Sequence, residues 1–462
     1  MSGDLTMSHL PLLCLDEPPA PLAWDNGRPI SRGQYLADVQ ALAPRLPDAG
    51  PMLNLTADRY RFAVGLGAAM LRGQHNLLPP NHTSDTVARL LALFPDTYAL
   101  ADSGAPAVRL PVVRHPTYPL AAAMEATAGP VQIADDALAA QVLTSGSTGA
   151  PVPHPKQWGL LVRNARSGAS RLAEQLGRES LAGVTIVATV PAQHMYGFES
   201  SVLVALVSGA AFDAGRPFYP ADIVAALGRA PRPRVLVTTP FHLKTLVESG
   251  VALPPVDLIV SATAPLSPQL AARAEAACGA PLMEIYGCTE AGQVASRRTT
   301  AGPEWRVYDG LRLSGDGEHT QVQGGHVPQP VVLADVLEVL DAQTFRLLGR
   351  SNDLINIAGK RSSLSHLNYH LNTVDGVQDG AFWLPPQSDA GEVVRLVAFV
   401  VAPGVAHDAI VAALRHKVDA AFVPRRVVGV PALPREATGK LPASLWNSWA
   451  AQQLATAARG SR

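Results

Sequence analysis

The feature that most constrains the fold is an alternation of short apolar runs with amphipathic segments. The runs Thr185–Val190, Val235–Thr239 and Leu258–Ser261 are β-branched and apolar, which predicts buried strands. Between them, Phe241–Glu248 and Pro268–Ala277 carry apolar residues at helical spacing. Strands that alternate with helices predict an α/β fold, with a largely parallel sheet covered by helices on both faces.

The same alternation covers the first part of the chain. The sequence predicts the strands Met52–Thr56, Tyr98–Ala101 and Val108–Val113 there, and later Leu282–Ile285. It predicts helices at Arg61–Arg72, Ser84–Phe94, Ser200–Val207 and Ala221–Gly228, with Ser84 as a capping residue.

The chain of 462 residues is too long for one typical hydrophobic core. After about residue 350 the segments become shorter and more polar, with a strand at Val393–Val401 and a helix at Ala409–Phe422. We therefore predict a large N-terminal domain over residues 1–349 with layered parallel sheets and helices. A hinge over 350–353 and a small, mobile α+β domain over 354–462 follow, and the last twenty residues form a frayed helix.

Composition and charge exclude several classes of protein. The formal net charge is -1, so neither nucleic acid nor an anionic membrane is expected as a partner. The three cysteines, Cys14, Cys278 and Cys288, form no C-x-x-C pair, which favours reduced thiols over a disulfide framework or a zinc ribbon. The longest apolar run, Val202–Phe212, is about half of a membrane span. We expect a cytoplasmic enzyme, and the oligomeric state stays open.

Four motifs carry chemistry, and the first is Thr144-Ser-Gly-Ser-Thr-Gly149, directly after an apolar run. Its two glycines let the backbone approach an anion, and its hydroxyls and amides can donate to phosphate oxygens. It is not a Walker loop, because no Lys-Ser or Lys-Thr follows the second glycine. By itself such a segment is also typical of an ordinary turn.

The second motif is Glu284-Ile-Tyr-Gly-Cys-Thr-Glu290, which follows a predicted strand. An aromatic ring, a glycine, a hydroxyl and a carboxylate could pack a base, bind a phosphate and hold Mg²⁺ through Glu290. The alternative is a strand-to-helix turn with Thr289 as the capping residue.

The remaining two motifs are weaker when taken singly. Leu348-Gly-Arg-Ser-Asn-Asp-Leu-Ile-Asn-Ile-Ala-Gly-Lys-Arg361 reads as a strand with turns. Thr438-Gly-Lys-Leu-Pro442 places Lys440 in an exposed loop, where a long flexible cation can reach a distant site or simply be solvated.

Together, and in this order from about residue 140 to 442, the four motifs resemble those of the adenylate-forming superfamily. That superfamily includes acyl- and aryl-CoA synthetases, nonribosomal peptide adenylation domains and firefly luciferase. The resemblance implies an AMP-forming ligase that uses ATP and Mg²⁺ to convert a small carboxylic acid into an acyl-adenylate. It further implies transfer to a thiol, either CoA or a phosphopantetheinyl acyl carrier protein.

The resemblance also implies a set of nucleotide-binding residues. The phosphate loop and its lysine would bind the β- and γ-phosphates. The stretch Ser261–Pro265 would bind the adenine, and Tyr286 would stack on it. Asp335 and Arg350 would bind the ribose. The implied set is Thr144, Ser145, Gly146, Ser147, Thr148, Gly149, Lys156, Ser261, Ala262, Thr263, Ala264, Pro265, Glu284, Tyr286, Gly287, Asp335 and Arg350.

The implied catalytic residues are Lys440, Thr289, Glu290 and His194. Lys440 would contact the carboxylate and the α-phosphate, Thr289 would bind the α-phosphate, and Glu290 would be the Mg²⁺ ligand. His194 would gate the pocket for the acid, and Gly359 would line a thiol tunnel. The pocket for a small flat acid would be formed by His194, Tyr196, Phe198, Gly287 and Cys288.

The sequence departs from the family pattern at two places. Family loops commonly read Thr-Gly-x-Pro-Lys-Gly, whereas Ala150-Pro-Val-Pro-His-Pro-Lys156 reads as an insertion before the lysine. Either Lys156 or His154 would then serve the phosphates, and the three prolines would stiffen the segment. At the hinge, Asn352 occupies a position that is usually Asp or Lys, and we expect it to permit rotation.

The chain is short for this superfamily and is similar to stand-alone aryl acid–acyl carrier protein ligases of aryl-polyene, xanthomonadin-type pigment pathways. That likeness implies a hydroxybenzoate-type acid as the substrate. Three alternatives stay open: a medium- or long-chain fatty acyl ligase, a degenerate nucleotide-binding scaffold, and an adenylating enzyme whose acceptor is an amine or oxygen nucleophile.

Overall fold

The computed structural model describes residues 8–13, 20–102, 108–118, 130–145, 151–315, 319–350, 354–357, 360–385, 395–435, 441 and 443–459. Up to residue 157, short strands alternate with helices. These elements are β1 His9–Pro11, β2 Pro21–Asp25, β3 Arg28–Ser31, α1 Arg32–Leu42, β4 Met52–Asn54, α2 Arg59–Leu71, β5 Asn76–Leu78, α3 Ser84–Leu93, β6 Tyr98–Ala101, β7 Val112–Arg114, β8 Gln132–Ala134, β9 Leu138–Ser145 and β10 Pro151–Gln157.

Most of these strands form a six-stranded sheet in the order β10-β9-β5-β4-β6-β7. Its neighbouring strands are parallel except for β10, which runs antiparallel to β9. The predicted strand Val108–Val113 starts later than expected, at Val112, and the capping residue of α3 is Thr83 rather than Ser84.

The middle of the chain continues the alternation and then changes to strands joined by turns. Its elements are α4 Trp158–Gln175, β11 Thr185–Ala188, α5 Met195–Gly197, α6 Val204–Ser208, β12 Ala211–Asp213, α7 Pro220–Arg229, β13 Arg234–Thr238, α8 Pro240–Glu248, β14 Leu258–Ser261, α9 Pro268–Cys278, β15 Leu282–Cys288, β16 Gly292–Arg298, β17 Glu304–Val307, β18 Leu311–Ser314, β19 Gln321–Gly324, β20 Val327–Val332, β21 Asp335–Val339 and β22 Thr344–Arg350.

The second large sheet has eleven strands in the order β21-β22-β17-β16-β15-β14-β13-β11-β12-β2-β3. The stretch from β15 to β2 is parallel, as the alternating pattern predicts, because each of its crossovers contains a helix. At one end of the sheet, the strands β16, β17, β22 and β21 run antiparallel to their neighbours. The prediction of a largely parallel sheet therefore applies to the centre of this sheet and not to that end.

The predicted helix Ser200–Val207 is part of a longer helical stretch. It begins at α5, continues through a π-helical turn at Phe198–Leu203 and ends with α6. Gly209 then adopts a left-handed conformation, with φ of 80°, which closes the helix at its C-terminus. No helix among the described residues is both long and apolar enough to cross a membrane.

After residue 353 the chain forms smaller sheets around separate apolar clusters. The predicted helix Ala409–Phe422 ends at Arg415, because a turn and a short 3-10 helix at Ala420–Phe422 follow. The elements are β23 Leu354–Ile357, β24 Lys360–Ser363, α10 Leu364–Leu371, β25 Asp379–Trp383, β26 Val397–Val401, α11 His407–Arg415, β27 Arg426–Gly429 and α12 Ala443–Arg459.

The C-terminal elements touch the large sheet region through a few polar contacts. Lys244 of α8 donates to the Gln378 carbonyl at 3.0 Å, and Gln269 of α9 donates to the Thr373 carbonyl at 3.0 Å. The predicted hinge lies largely outside the described residues, so the domain boundaries stay a prediction.

A buried arginine connects α2 to the second large sheet. Arg59 is 1% exposed, and its guanidinium donates to the carbonyls of Ala188 and Val190 and to the Ser201 hydroxyl at 2.7–3.0 Å. The end of β11 and the π-helical turn are therefore held by the same cation.

We expect Arg59→Leu to lower the free energy of unfolding by about 3–5 kcal/mol, because three buried acceptors lose a charged donor. Arg273 lies exposed on α9, and Arg273→Leu should change stability by less than about 0.5 kcal/mol. Denaturant unfolding followed by circular dichroism measures both. Equal midpoints for the two variants would contradict the structural role of Arg59.

Candidate active site

Two paired antiparallel strands flank the centre of the first motif. Strand β9 runs through Ser145, β10 starts at Pro151, and these two residues pair across the hairpin. Gly146–Gly149, the centre of the predicted phosphate loop, lies outside the described residues. Between these strands, the Thr144 hydroxyl and the His154 Nε2 atom are 3.0 Å apart.

The proline-rich segment, which the sequence suggested to be an insertion, forms a strand of this hairpin. Residues 151–156 pair with β9 without a break, so β10 is a regular edge strand. Its prolines occupy alternate positions, 151, 153 and 155, where an edge strand needs no N–H for the ladder. In the family pattern Gly-x-Pro-Lys, the place of the lysine is taken by Val152, which is 44% exposed.

The second motif also forms a hairpin, and not a strand-to-helix turn. Strand β15 continues through Tyr286 to Cys288 and turns back antiparallel into β16. A Cβ atom on Gly287 would lie 2.2 Å from the Gly292 carbonyl oxygen, so this position requires glycine. Backbone crowding explains Gly287 here, whereas the sequence suggested space for a substrate ring.

The two hairpins meet at the Thr289–Glu290 turn. Lys156 of β10 is 9% exposed, and its ammonium donates to the Thr289 carbonyl and, at 3.2 Å, to the Glu290 carbonyl. The His154 Nε2 atom lies 3.8 Å from a carboxylate oxygen of Glu290, whose side chain is 48% exposed. The predicted phosphate and Mg²⁺ residues are therefore adjacent. The Lys156 ammonium, however, is bound to backbone carbonyls.

Tyr286 and Asp335 also come together. The Tyr286 hydroxyl donates to an Asp335 carboxylate oxygen at 2.8 Å, and the ring packs against Phe345 with centroids 5.5 Å apart. Asp335 opens β21 and pairs in register with Arg350 of β22. Tyr286 and Asp335 are thus in contact, and Arg350 lies opposite Asp335 in the ladder; the Arg350 side chain is outside the described set.

The predicted adenine stretch, Ser261–Pro265, follows the carboxyl end of β14, next to β15. Ligands of open parallel sheets bind at such ends. Thr263 has a φ of 80°, a strained conformation for a β-branched residue. Within the described part of the chain, the buried hydroxyls of Ser261 and Thr263 have no hydrogen-bond partner, so both have capacity for a ligand.

Glu284 has a different role from the one the motif suggested. Its carboxylate lies 2.6 Å from the guanidinium of Arg297 and accepts from the Thr299 hydroxyl at 2.6 Å. Glu284 is buried and Arg297 is largely so, with side chains 5% and 11% exposed. These contacts all fall on the Oε2 atom, so the geometry gives the carboxylate a structural role through that oxygen.

The residues predicted for the acid pocket divide into exposed and buried positions. His194 is exposed at the start of α5, and its Nδ1 atom accepts from the Tyr196 amide at 3.3 Å. Tyr196 is nearly buried and donates to the Val260 carbonyl at 3.0 Å. Phe198 is 0% exposed and packs edge-on against Phe62, so it is a core residue and does not contact a ligand in this conformation.

Cys288 is half-buried, and burial raises the pKa of its thiol to about 11. A thiol with a raised pKa is a poor nucleophile. Gly359 and Lys440 lie outside the described residues, as does Asn352, and their predicted roles stay predictions.

The sequence analysis missed a buried polar cluster, which consists of Lys156, Glu199 and Asn164. Glu199 is 3% exposed in the π-helical turn and accepts from the Asn164 amide. Burial raises the pKa of Glu199 to about 7, opposed by the Lys156 charge and the Asn164 hydrogen bond. The available signal was a glutamate between Phe198 and the apolar run that begins at Val202, since buried carboxylates need partners.

The family model for AMP-binding enzymes matches residues 62–350. The chain therefore belongs to the AMP-binding enzyme family, and with it to the adenylate-forming superfamily. It is similar to a 4-coumarate–CoA ligase of Rhodobacter capsulatus, with 31% identity over 60% of this chain and 67% of that protein. A 4-coumarate–CoA ligase of Halorhodospira halophila is 30% identical over 56% of this chain and 62% of that protein.

Among solved structures, a benzoate CoA ligase of Burkholderia xenovorans LB400 has the same fold. Its TM-score is 0.72 at 19% identity, over 91% of this chain and 95% of that chain. This agreement confirms the predicted α/β architecture.

We expect Gly287→Ala to disrupt the β15–β16 hairpin, because the added Cβ overlaps the Gly292 carbonyl. AMP binding, measured by calorimetry, should weaken at least about tenfold, which corresponds to about 1.4 kcal/mol. Gly228 on α7 has open space around its Cβ position, so Gly228→Ala is the matched control and should bind AMP normally. Normal AMP affinity in Gly287→Ala would refute the steric argument.

Stability should depend on pH through Glu199. Its folded pKa, about 7, exceeds the ordinary 4.5, so the folded protein holds a proton that the unfolded chain releases between these values. This contribution to stability is present below about pH 4.5 and is lost as the pH rises through about 7. Glu199→Gln does not undergo this loss. The free energy of unfolding of Glu199→Gln minus that of wild type should therefore increase between pH 5 and pH 8, by up to about 3 kcal/mol.

Urea unfolding at both pH values measures this effect. Glu248→Gln, at an exposed position in α8, is the control, and its difference from wild type should not vary with pH. A difference for Glu199→Gln that is the same at both pH values would show that the carboxyl does not titrate in this range.

Proposed function

We propose that this protein is an AMP-forming carboxylic acid ligase that makes a thioester through an acyl-adenylate. One observation carries the proposal: the hairpin of the phosphate motif and the Thr289–Glu290 turn are in direct contact, through Lys156 and His154. Tyr286 lies on β15, the strand that leads into this turn, and its hydroxyl is 2.8 Å from the Asp335 carboxylate. This pair supports a nucleoside site next to the phosphate site.

In this proposal each part of the site has one task. Tyr286, Asp335, Arg350 and the Ser261–Pro265 stretch bind adenosine. The Thr144–Gly149 loop binds the terminal phosphates, and the Thr289 hydroxyl binds the α-phosphate.

Glu290 would be the protein ligand of Mg²⁺. Its exposed carboxylate beside the phosphate hairpin suits an ion that keeps several waters and binds through one or two carboxylates and phosphates. Among the described residues no group of three His, Cys, Asp or Glu side chains could hold a metal, and this binding mode needs none. When bound, the ion would neutralise phosphate charge.

The chemistry has two transfers. A carboxylate oxygen of the acid attacks the α-phosphorus of ATP, the bond to the β-phosphate oxygen breaks, and pyrophosphate leaves with that electron pair. A thiolate then attacks the acyl carbonyl, and AMP leaves with the mixed-anhydride oxygen. The first step needs charge neutralisation and in-line positioning, which loop amides and Lys440 would supply.

For the substrates we propose a small aromatic acid of the hydroxybenzoate or hydroxycinnamate type. The two relatives with about 30% identity are 4-coumarate–CoA ligases, which supports an aromatic acid with CoA as the acceptor. A phosphopantetheinyl carrier protein presents the same thiol and is the second acceptor to test.

The decisive experiment is acid-dependent ATP–pyrophosphate exchange with a panel of benzoates, cinnamates and fatty acids. Exchange should appear with an aromatic acid and fall by at least about a thousandfold in Lys440→Ala, because the α-phosphate loses its mobile cation. Lys417→Ala, also in the C-terminal part of the chain, is the control and should retain exchange.

Mass spectrometry with CoA, holo-carrier protein and amines as acceptors then identifies the product. Nucleotide binding without exchange for any acid would contradict the proposal and favour a degenerate scaffold.

A further inference from the structure

The position of Lys156 does not suit a phosphate ligand. It lies four residues beyond Val152, which occupies the place of the lysine in the family pattern, and this is about 13 Å of extended chain. It points to the same side of β10 as Val152 and His154, because side chains alternate along a strand. The amine reaches the second hairpin, at the carbonyls of Thr289 and Glu290.

We propose that Lys156 is a positioning residue that fixes the Thr289–Glu290 turn from behind, with Glu199 as its buried countercharge. The inference rests on the proposed function, since it assigns the means by which Thr289 and Glu290 are held for the nucleotide.

The hydrogen bonds of the ammonium support this role. Two of its three donors are used by the carbonyls of Thr289 and Glu290, the residues whose side chains would bind the α-phosphate and Mg²⁺. With only 9% of Lys156 exposed, little of it can reach a ligand. Burial lowers the pKa of Lys156, and the carboxylates of Glu199 and Glu290 act in the opposite direction.

Glu199 gives the cation its electrostatic partner. It lies in the π-helical turn, a geometry that often marks functional sites, and it also approaches the hairpin. A Cβ atom on Gly292 would lie 2.8 Å from its carboxylate and 2.4 Å from the Asn164 amide. The buried cluster thus packs directly beneath the turn, and Gly292, with a φ of 77°, leaves the space for it.

The consequence is a distinction between two ligands. A lysine that contacts the β- or γ-phosphate improves the binding of ATP but not of AMP, which lacks those groups. A lysine that positions Thr289 acts on the α-phosphate, which both ligands have. The ratio of the two affinities therefore separates the roles.

The test is calorimetric titration of wild type and Lys156→Met with AMP and with Mg²⁺-ATP. We expect the dissociation constants of both ligands to rise by the same factor, about tenfold, as for a lost charged hydrogen bond. Lys156→Arg should recover part of the affinity for both ligands, and Lys417→Met should match wild type. Weakened ATP binding with unchanged AMP binding would overturn the proposal, as would unchanged binding of both.

A second variant separates a loss of nucleotide affinity from a loss of folding. At a pH above the pKa of Glu199, Lys156→Met leaves a buried carboxylate without its cation, which destabilises the fold. In Lys156→Met/Glu199→Gln that charge is gone and the amide can still accept from Asn164. This double variant should regain thermal stability but keep the equal weakening of AMP and ATP; recovered nucleotide affinity would count against the positioning role.

AMP titration requires neither an acid nor turnover. A wild-type protein that binds AMP but shows no exchange would refute the proposed function, and the affinity ratio in Lys156→Met would still test the role of the lysine.

Discussion

The site depends on one buried cation that joins two hairpins. Lys156 belongs to the six-stranded sheet, and the carbonyls that it binds, on Thr289 and Glu290, lie 133 and 134 residues further along the chain, next to the eleven-stranded sheet. Carbonyl oxygens satisfy the ammonium without neutralising it, so the buried charge requires a carboxylate, and Glu199 lies close enough for its charge to act on the lysine. The spacing between β10 and the Thr289–Glu290 turn therefore follows from electrostatics as well as from backbone packing.

The backbone around this contact uses glycine and proline at positions where other residues would clash or would leave a free N–H group. Gly287 and Gly292 allow the β15–β16 hairpin to close over the buried cluster, because a Cβ at either position would collide with neighbouring atoms. The prolines of β10 alternate, so this edge strand keeps its ladder to β9 while offering no donors at those positions to a further strand. Rigid strands, and not loops, thus carry Thr144, His154 and Lys156.

This arrangement gives Lys156 a different task from the phosphate binding that the family resemblance implied. Under the proposed function, the phosphate loop and His154 face the phosphates, whereas Lys156 supports the turn. His154 lies between the Thr144 hydroxyl and the Glu290 carboxylate; burial lowers the pKa of its imidazole, and the Glu290 charge acts in the opposite direction. The hydrogen bond of His154 is with the Thr144 hydroxyl, and at 3.8 Å the Glu290 carboxylate lies beyond hydrogen-bond distance of the same nitrogen, so this carboxylate stays available for Mg²⁺ under the proposed function.

The sequence by itself determined the alternation of strands and helices and the family, because apolar periodicity and a fixed order of motifs are local properties. It predicted Tyr286, Thr289, Glu290 and Asp335 as a group, and the structure brings the elements that carry them together. Only the tertiary structure decided the roles of three other residues. Phe198 is buried in the core, Gly287 lies against the Gly292 backbone, and Lys156 binds backbone carbonyls. These roles depend on burial and on long-range contacts. Glu199 could be recognised only in the tertiary structure, because a buried carboxylate is defined by partners distant in sequence.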